Sequence, residues 1–265
     1  MFFPYRDDNP HTTTPIVNYT LLGACVAVFL WQVSLGPNGE LRALYAFGLI
    51  PGELFGGVEI NPAVGRLPGW MTIFSSMFLH GGWMHLIGNM MYIWIFGDNI
   101  EASLGHLRYL AFYLICGVAA AFAQIAVAPG SEVPMIGASG AISGVLGAYL
   151  MLHPRANIRV FVWFILILTT INLPAWIVLG AWFAGQLISS AGVDPSEPGV
   201  AFMAHIIGFV AGAILVFFFK KPQVPVFEPA HSRPFAIENR RVSLRRRGSY
   251  PDAGQDRGGR RGPWG

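Results

Sequence analysis

The sequence predicts an all-α polytopic membrane protein, and three observations support this prediction. Hydrophobic residues make up 54% of the 265 residues and charged residues only 12%, about half the charged share of an average soluble domain. The mean hydropathy is +0.51. Apolar runs of roughly 20 residues, the length of a helix that crosses a bilayer, recur along the chain. We therefore expect a bundle of six transmembrane helices with a structured loop after the first helix.

The six predicted helices cover residues 14–35, 83–100, 107–127, 137–152, 174–189 and 202–219. The connection 36–69 is punctuated by Gly and Pro, but Leu and Phe recur in it, so we expect a structured loop at the membrane surface. The apolar run 160–188 is too long for one crossing and too short for two. Because Pro174 divides this run, we expect residues 161–171 to form an interfacial or tilted approach to the fifth helix.

The distribution of charge predicts where the ends of the chain lie. Eleven of the 17 Lys and Arg residues occur from Lys220 onward, and basic residues favour the cytoplasmic side of a membrane. With six crossings, both termini are then cytoplasmic. We expect a cytoplasmic segment at 1–13, a membrane domain at 14–221 and a disordered basic tail at 222–265. The tail is either solvated or attracted to anionic lipids, and it lacks the folded scaffold of a nucleic-acid-binding domain.

The N-terminal residues and the cysteines indicate in which cellular membrane the protein is expected. Residues 1–10 are polar and do not resemble a targeting leader, so a prokaryotic plasma membrane is the expected location. Cys25 and Cys116 lie in apolar runs, where we expect packing residues and not a disulfide or metal framework. The spacing from His80 to His85 differs from the His-Glu-x-x-His pattern of zinc proteases. We expect no cofactor.

The segment 137–144, Gly-Ala-Ser-Gly-Ala-Ile-Ser-Gly, opens the fourth predicted helix and has two interpretations. Gly140 and Gly144 form a face of small residues that lets another helix approach closely. Alternatively, Ser139 is a nucleophile, because its glycine neighbours leave the hydroxyl accessible to a bulky carbonyl substrate. The segment by itself favours packing, so the choice depends on the other helices.

Polar residues inside predicted helices are costly in a membrane and are therefore functional candidates. His80 and His85 lie at the start of the second helix. Asn89 shares a helical face with His85, because the two are four residues apart. His205 lies near the start of the sixth helix. We interpret His80 as a structural hydrogen-bonding residue.

Glycines give the fourth and sixth helices matching faces. Gly208 and Gly212 follow His205 at the third and seventh positions, on one stripe of the helix. If this stripe faces the glycines of the fourth helix, the backbones approach closely enough for Ser139 and His205 to share a hydrogen bond.

The second, fourth and sixth predicted helices run in the same direction, which places four polar residues at one depth near the outer surface. An imidazole is the usual base that activates a serine hydroxyl, and His205 is the candidate for Ser139. His85, Asn89 and the backbone N–H of Ser139 would stabilise the oxyanion. Since no carboxylate lies near His205 in the sequence, we predict a Ser-His dyad.

Three motifs together resemble the rhomboid family of intramembrane serine proteases. They are His-x-x-x-Asn in the second helix, Gly-x-Ser-Gly opening the fourth, and His-x-x-Gly-x-x-x-Gly in the sixth, within residues 70–219. The resemblance implies a six-helix rhomboid-like bundle with Ser139 as nucleophile and His205 as general base. It implies that His85 and Asn89 polarise the scissile carbonyl. The partners would be membrane lipids and transmembrane proteins, which are cleaved in or next to their transmembrane segments.

The resemblance also implies supporting residues and shows one departure. The supporting residues would be His80, Gly137, Gly140, Gly208 and Gly212. Some members have a tyrosine four residues after the nucleophile that packs on the base, whereas this chain has Ser143, which leaves the packing of the base open. A motile fifth helix or an outer cap loop would admit the substrate.

Other classes remain as alternatives. A catalytically silent relative would bind transmembrane clients without cleaving them, but such members are expected to lose the serine or the base. An intramembrane aspartyl protease needs two buried aspartates, whereas Asp98 is the sole candidate. A transporter would show an inverted repeat, and none is evident. For Ser139 helix packing stays open, as does an interhelical hydrogen bond for His85 and Asn89.

Overall fold

The computed structural model describes residues 2–10, 13–54, 57–61, 64–164, 167–194 and 197–235. Within these ranges the elements follow in the order β1 (Phe2–Asp7), α1 (Ile16–Ser34), α2 (Gly36–Phe47), α3 (Pro51–Leu54), α4 (Gly69–Ser75), α5 (Trp83–Leu104), α6 (His106–Val127), α7 (Ser139–Leu152), β2 (Asn157–Phe164), β3 (Ile167–Pro174), α8 (Ala175–Ser190) and α9 (Phe202–Phe219). A short 3-10 turn, Ser76–Phe78, follows α4. Most of the described chain is helical.

Three described helices, α1, α6 and α9, are long and apolar enough to cross a membrane. α7 and α8 are also apolar but have 14 and 16 residues, short of the roughly 20 that a full crossing takes. α5 has 22 residues, and polar side chains such as Asn89 and Asp98 lower its mean hydropathy. The helices fit a membrane-spanning fold, whereas the number of six crossings stays a prediction.

α7 lies at the centre of the bundle, where it packs against α5, α6 and α9. Eleven of its 14 residues are buried. A Cβ on Gly208 or Gly212 of α9 would collide with the backbone oxygen of Gly140 or Gly144, respectively. A Cβ on Gly140 would lie 2.6 Å from the Cβ of Ala120 on α6. The glycine faces expected from the sequence therefore meet, and they bring the α7 and α9 backbones into contact.

The buried carboxylate of Glu101, near the end of α5, binds the start of α1. Its oxygens accept hydrogen bonds from the backbone N–H groups of Val17 at 2.9 Å and Asn18 at 2.7 Å, which have no acceptor inside their own helix. Nδ1 of His106 lies 2.5 Å from the same carboxylate. These contacts fix α1 against the turn between α5 and α6.

The all-α prediction is wrong for residues 157–164 and 167–174, which form two paired strands where we expected residues 161–171 to form an interfacial or tilted approach to the fifth helix. β2 pairs antiparallel with β3 and, on its other edge, with β1 from the N-terminal segment, in the order β1-β2-β3. Buried Val160 and Val162 alternate with the exposed Phe161, which is the two-residue period of a strand. β-branched and aromatic residues also favour strands. Residues 165 and 166 lie outside the described part of the chain.

The connection between α1 and α4 is structured, as expected from its sequence. The segment after α1 includes α2 and α3, and Leu49 forms a β-bridge with Met135. That this segment lies at the membrane surface stays a prediction.

The sequence predicts disorder from residue 222 onward, whereas the described residues 222–235 pack against the domain. The N–H groups of Phe227 and Glu228 donate to the carbonyls of Met151 and Leu152 at 2.9 and 2.8 Å. The rest of the predicted tail, 236–265, lies outside the described residues.

Candidate active site

Ser139 is the first residue of α7, and the turn before it is made by Gly137. Gly137 has a φ of +117°, a conformation that L side chains rarely adopt, and its N–H donates to the carbonyl of Ser76 at 2.8 Å. The N–H groups of a first helical turn have no acceptor within the helix and carry the positive end of its dipole. The backbone N–H of Ser139 is thus suited to bind an anionic oxygen.

His205 lies in the first turn of α9, beside Ser139. Its Nε2 is 2.7 Å from Oγ of Ser139, a hydrogen-bond distance. The two residues are 66 positions apart in the chain, and the contact between the α7 and α9 backbones brings them together. The structure therefore unites the serine and histidine that the motifs single out.

Gln186 of α8 contacts the other nitrogen of the same ring, which the sequence analysis did not predict. Its Oε1 lies 2.8 Å from Nδ1 of His205. An amide oxygen can only accept, so Nδ1 carries the proton and Nε2 has a free lone pair. Nε2 then accepts the hydrogen bond from the Ser139 hydroxyl, which is the arrangement that a general base requires.

The sequence prediction missed Gln186 because it considered ionisable side chains and only the amide that shares a helical face with one of them, Asn89 beside His85. A neutral amide inside a predicted membrane helix also needs a partner. Its position four residues after Trp182 was an available signal, because such a pair shares one helical face.

Trp182 answers the open question of what packs on His205. Its ring centroid is 6.0 Å from that of the imidazole, and the planes are inclined by 36°. Ser143 does not take this place, since its Oγ donates to the backbone oxygen of Ser139 at 2.7 Å. The aromatic contact to the base therefore comes from α8 and not from α7.

His85, in the first turn of α5, presents an N–H toward Ser139. The backbone N–H of Gly81 donates to its Nδ1 at 3.3 Å, so Nδ1 is the acceptor and Nε2 carries the proton. A Cβ on Gly137 would lie 2.7 Å from Nε2 of His85 and 3.7 Å from Oγ of Ser139. The missing side chain of Gly137 thus keeps open a space between these two groups.

Asn89 is one turn further along α5 and is 7% exposed. Its Nδ2 finds no hydrogen-bond partner among the described residues. Leaving a buried amide donor unpaired costs about 1–3 kcal/mol. Such a group is a candidate for binding a ligand oxygen that enters the site.

His80 does not contact Ser139 but lies behind His85, with ring centroids 5.1 Å apart. It is fully buried. Its backbone N–H donates to Oε1 of Gln32 at 3.1 Å, and its carbonyl accepts from Nε2 of Gln32 at 3.2 Å. These reciprocal bonds of the His80 backbone tie the segment before α5 to α1, and a structural role for the His80 side chain stays a prediction.

One cavity of about 780 Å³ joins these groups. Ser139, His205, His85 and Asn89 all line it, together with Trp182. The volume is within the range of ligand-binding clefts. A base, a hydroxyl and several hydrogen-bond donors converge on one cavity, which is the composition of a site for acyl transfer.

Comparisons with known proteins cover the same part of the chain. The rhomboid domain family model matches residues 68–222. The mitochondrial Rhomboid protein 1 of Saccharomyces cerevisiae is 28% identical over 212 residues, which are 77% of this chain and 53% of that protein. Rhomboid protease GluP of Bacillus subtilis is 27% identical over 197 residues, 73% of this chain and 35% of that protein. Rhomboid-like protease 5 of Toxoplasma gondii is 30% identical over 216 residues, 78% and 23% of the two chains.

The chain spans about half or less of the length of these relatives. The family match, in contrast, extends over more than half of this chain. It begins before the histidine motif of α5 and ends after the glycine stripe of α9. On this evidence the chain belongs to the rhomboid family.

Proposed function

We propose that the protein is an intramembrane serine protease that hydrolyses peptide bonds in or next to transmembrane segments of other membrane proteins. The observation that carries the proposal is the 2.7 Å contact between Ser139 Oγ and His205 Nε2 inside the shared cavity. Relatives that are named proteases support the same activity.

In the proposed reaction Ser139 is the nucleophile and His205 the general base. The Oγ atom attacks the scissile carbonyl carbon while Nε2 of His205 takes the hydroxyl proton. The tetrahedral intermediate then expels the amine, which receives that proton from His205. A water molecule attacks the carbonyl carbon of the resulting acyl ester while His205 takes a proton from it. The second tetrahedral intermediate breaks its bond to Oγ, which receives that proton from His205, so the carboxyl product leaves and the Ser139 hydroxyl is restored.

The developing oxyanion would lie in the space that Gly137 keeps open. The candidate donors are Nε2–H of His85, Nδ2–H of Asn89 and the backbone N–H of Ser139. Losing one donor of this kind typically lowers kcat about 10²- to 10³-fold. The unpartnered Nδ2 of Asn89 supports this role, because the intermediate would supply the acceptor that the described residues lack.

The proposal includes the membrane topology. Six crossings by a domain at 14–221, with both termini and the tail at 222–265 in the cytoplasm, would place the site near the outer surface, where water reaches it. The expected location is a plasma membrane. One relative is mitochondrial, so the membrane itself has to be tested by localisation of the tagged protein.

A catalytically silent protein that binds transmembrane clients is the second candidate from the sequence. The hydrogen bond between Ser139 and His205 favours the protease, because client binding alone does not require a paired hydroxyl and imidazole.

The test is cleavage of a labelled single-pass membrane protein in liposomes. We expect Ser139→Ala and His205→Ala to abolish cleavage, and a fluorophosphonate to label the wild type but not Ser139→Ala. Ser34→Ala is the matched control, because this exposed serine ends α1 and donates to the carbonyl of Trp31. Residual proteolysis by both site variants would refute the proposal, and binding of the substrate without any cleavage by the wild type would support the silent protein.

A further inference from the structure

We infer that Gln186 and Trp182 of α8 are positioning residues for His205, so that the base is competent only while α8 is packed against α9. The inference rests on the proposed function. It adds that the orientation of the base is controlled by a helix that carries neither Ser139 nor His205.

Two contacts from one face of α8 hold the imidazole. Gln186 accepts from Nδ1 at 2.8 Å, and the Trp182 ring lies over the imidazole at a centroid distance of 6.0 Å. The two residues are four positions apart and therefore point the same way. Together they constrain the rotation of the ring and the nitrogen that bears the proton.

The proton position decides whether His205 can act as a base. The two neutral tautomers of an imidazole both occur, and the partner of one nitrogen selects between them. If Nδ1 lost its acceptor, the tautomer with a proton on Nε2 would be populated, and this tautomer cannot accept the proton of Ser139. Gln186 thus performs the orienting task that a carboxylate performs in a catalytic triad, without adding a charge.

The part of α8 that carries Gln186 buries few side chains against the rest of the bundle. Of its 16 residues only Ala175 and Leu179 are buried, and both lie in its first five positions. Near its other end Leu187 is 47% and Ile188 76% exposed.

Aromatic stacking holds the middle of α8 against α9, one turn before Gln186. Trp182 stacks on Phe209 at 6.0 Å, and Phe183 stacks on the same ring at 4.7 Å. Displacing this part of α8 would remove Gln186 and Trp182 from His205 together. The packing of α8 against α9 is therefore coupled to the proposed proton transfer through the His205 imidazole.

The experiment compares Gln186→Leu, Gln186→Glu and the control Leu187→Ala in the liposome cleavage assay. For Gln186→Leu we expect kcat to fall about 10- to 100-fold, part of the roughly 10²- to 10⁴-fold that a positioned base contributes, with KM within about twofold of the wild type. Gln186→Glu keeps an acceptor for Nδ1 and should recover most of the activity. Because its carboxylate stabilises the protonated imidazole, the acid limb of its pH–rate profile should move to higher pH. Leu187→Ala should match the wild type.

The outcomes separate this inference from the proposed function. Wild-type kcat and an unchanged pH profile in both Gln186 variants, with Ser139→Ala and His205→Ala inactive, would overturn the positioning role and leave the protease intact. Cleavage by Ser139→Ala would overturn both. If Gln186→Leu does not fold, which its unfolding midpoint in detergent reports, Gln186→Met takes its place, because it removes the amide oxygen but keeps the length of the side chain. Wild-type kcat in a folded Gln186→Met variant would overturn the positioning role.

Discussion

At the scale of single residues, Gly137 is the position where both the backbone conformation and the space needed in the site favour glycine. Its φ of +117° favours glycine, since other L residues are strained there. The space that a side chain would fill lies between His85 and Ser139. The absence of a side chain at Gly137 therefore permits both the turn into α7 and the cavity in front of Ser139, the proposed nucleophile.

We predict that Gly137→Ala lowers kcat at least about 10²-fold, the loss expected when one oxyanion donor is displaced. The new Cβ would lie 2.7 Å from Nε2 of His85, where the oxyanion has to bind. Cleavage rates and the unfolding midpoint in detergent measure the effect. Gly130→Ala is the control, because a Cβ there meets nothing within 4 Å. Cleavage at the wild-type rate would show that the oxyanion binds elsewhere.

Four residues of the candidate site could be predicted from the sequence, whereas the contacts of Gln186 and Trp182 with His205 could not. Ser139, His205, His85 and Asn89 stand out because hydroxyl, imidazole and amide groups are rare at the same depth in apolar helices. The spacing of Gln186 and Trp182 places them on one helical face, but it does not identify the ring on another helix that this face contacts.

At the scale of elements, the crossing of α7 and α9 determines whether the site exists. Ser139 and His205 begin their helices, and the backbone contacts at Gly208 and Gly212 lie one and two turns below His205. The crossing could be predicted from the glycine spacing, because only a small residue permits such an approach.

The sheet could not be predicted from the same kind of reasoning. Residues 160–168 form a continuous apolar run in the sequence, and such a run hides the two-residue alternation of a strand. β2 also forms hydrogen bonds with β1, which lies about 150 residues earlier in the chain. The local sequence of β2 contains no indication of this partner.

We predict that Gly212→Ala destabilises the protein by about 1–3 kcal/mol, as overpacking of a close contact does. It should also lower kcat about 10- to 100-fold, because a displacement near 1 Å between reacting groups has an effect of this size. Gly212 lies nearly two turns from His205 and does not line the cavity, so a loss of activity would have to be transmitted by the helix. Thermal unfolding and cleavage assays measure the two effects. Gly23→Ala on α1 meets nothing within 4 Å and should leave both unchanged, whereas equal behaviour of the two variants would contradict the prediction.

At the scale of the whole molecule, the end of α7 remote from Ser139 is where distant parts of the chain meet. The Asp8 carboxylate accepts a hydrogen bond from the backbone N–H of Asn157 on β2 at 2.7 Å, and the Ser232 hydroxyl also donates to it. The N-terminal segment, the sheet and the residues after α9 are thereby joined at one place. This junction lies at the opposite end of α7 from the cavity that Ser139 lines.

Asp7 buries its side chain at the same junction. Its Oδ2 accepts hydrogen bonds from the Tyr149 hydroxyl at 2.5 Å and from Nδ2 of Asn99 at 2.7 Å. Burial raises the pKa of this carboxyl from 3.8 to about 7. The bond from Tyr149 opposes that rise in pKa, and the neighbouring charges of Asp98 and Asp8 add to it.

The folded chain therefore holds the Asp7 proton up to about pH 7, whereas the unfolded chain releases it near pH 3.8. Because the folded state binds more protons across this interval, its stability falls as the pH rises from about 4 to 7 and levels off above that. We predict that Asp7→Asn removes this part of the slope, since it eliminates the buried charge. It should raise the unfolding free energy at pH 8 by on the order of 2–4 kcal/mol, with little change near pH 4. Unfolding in detergent across pH 4–8 measures the effect, and Glu132→Gln, which alters an exposed carboxyl, is the control. An Asp7→Asn variant that keeps the wild-type slope would show that another group holds the proton.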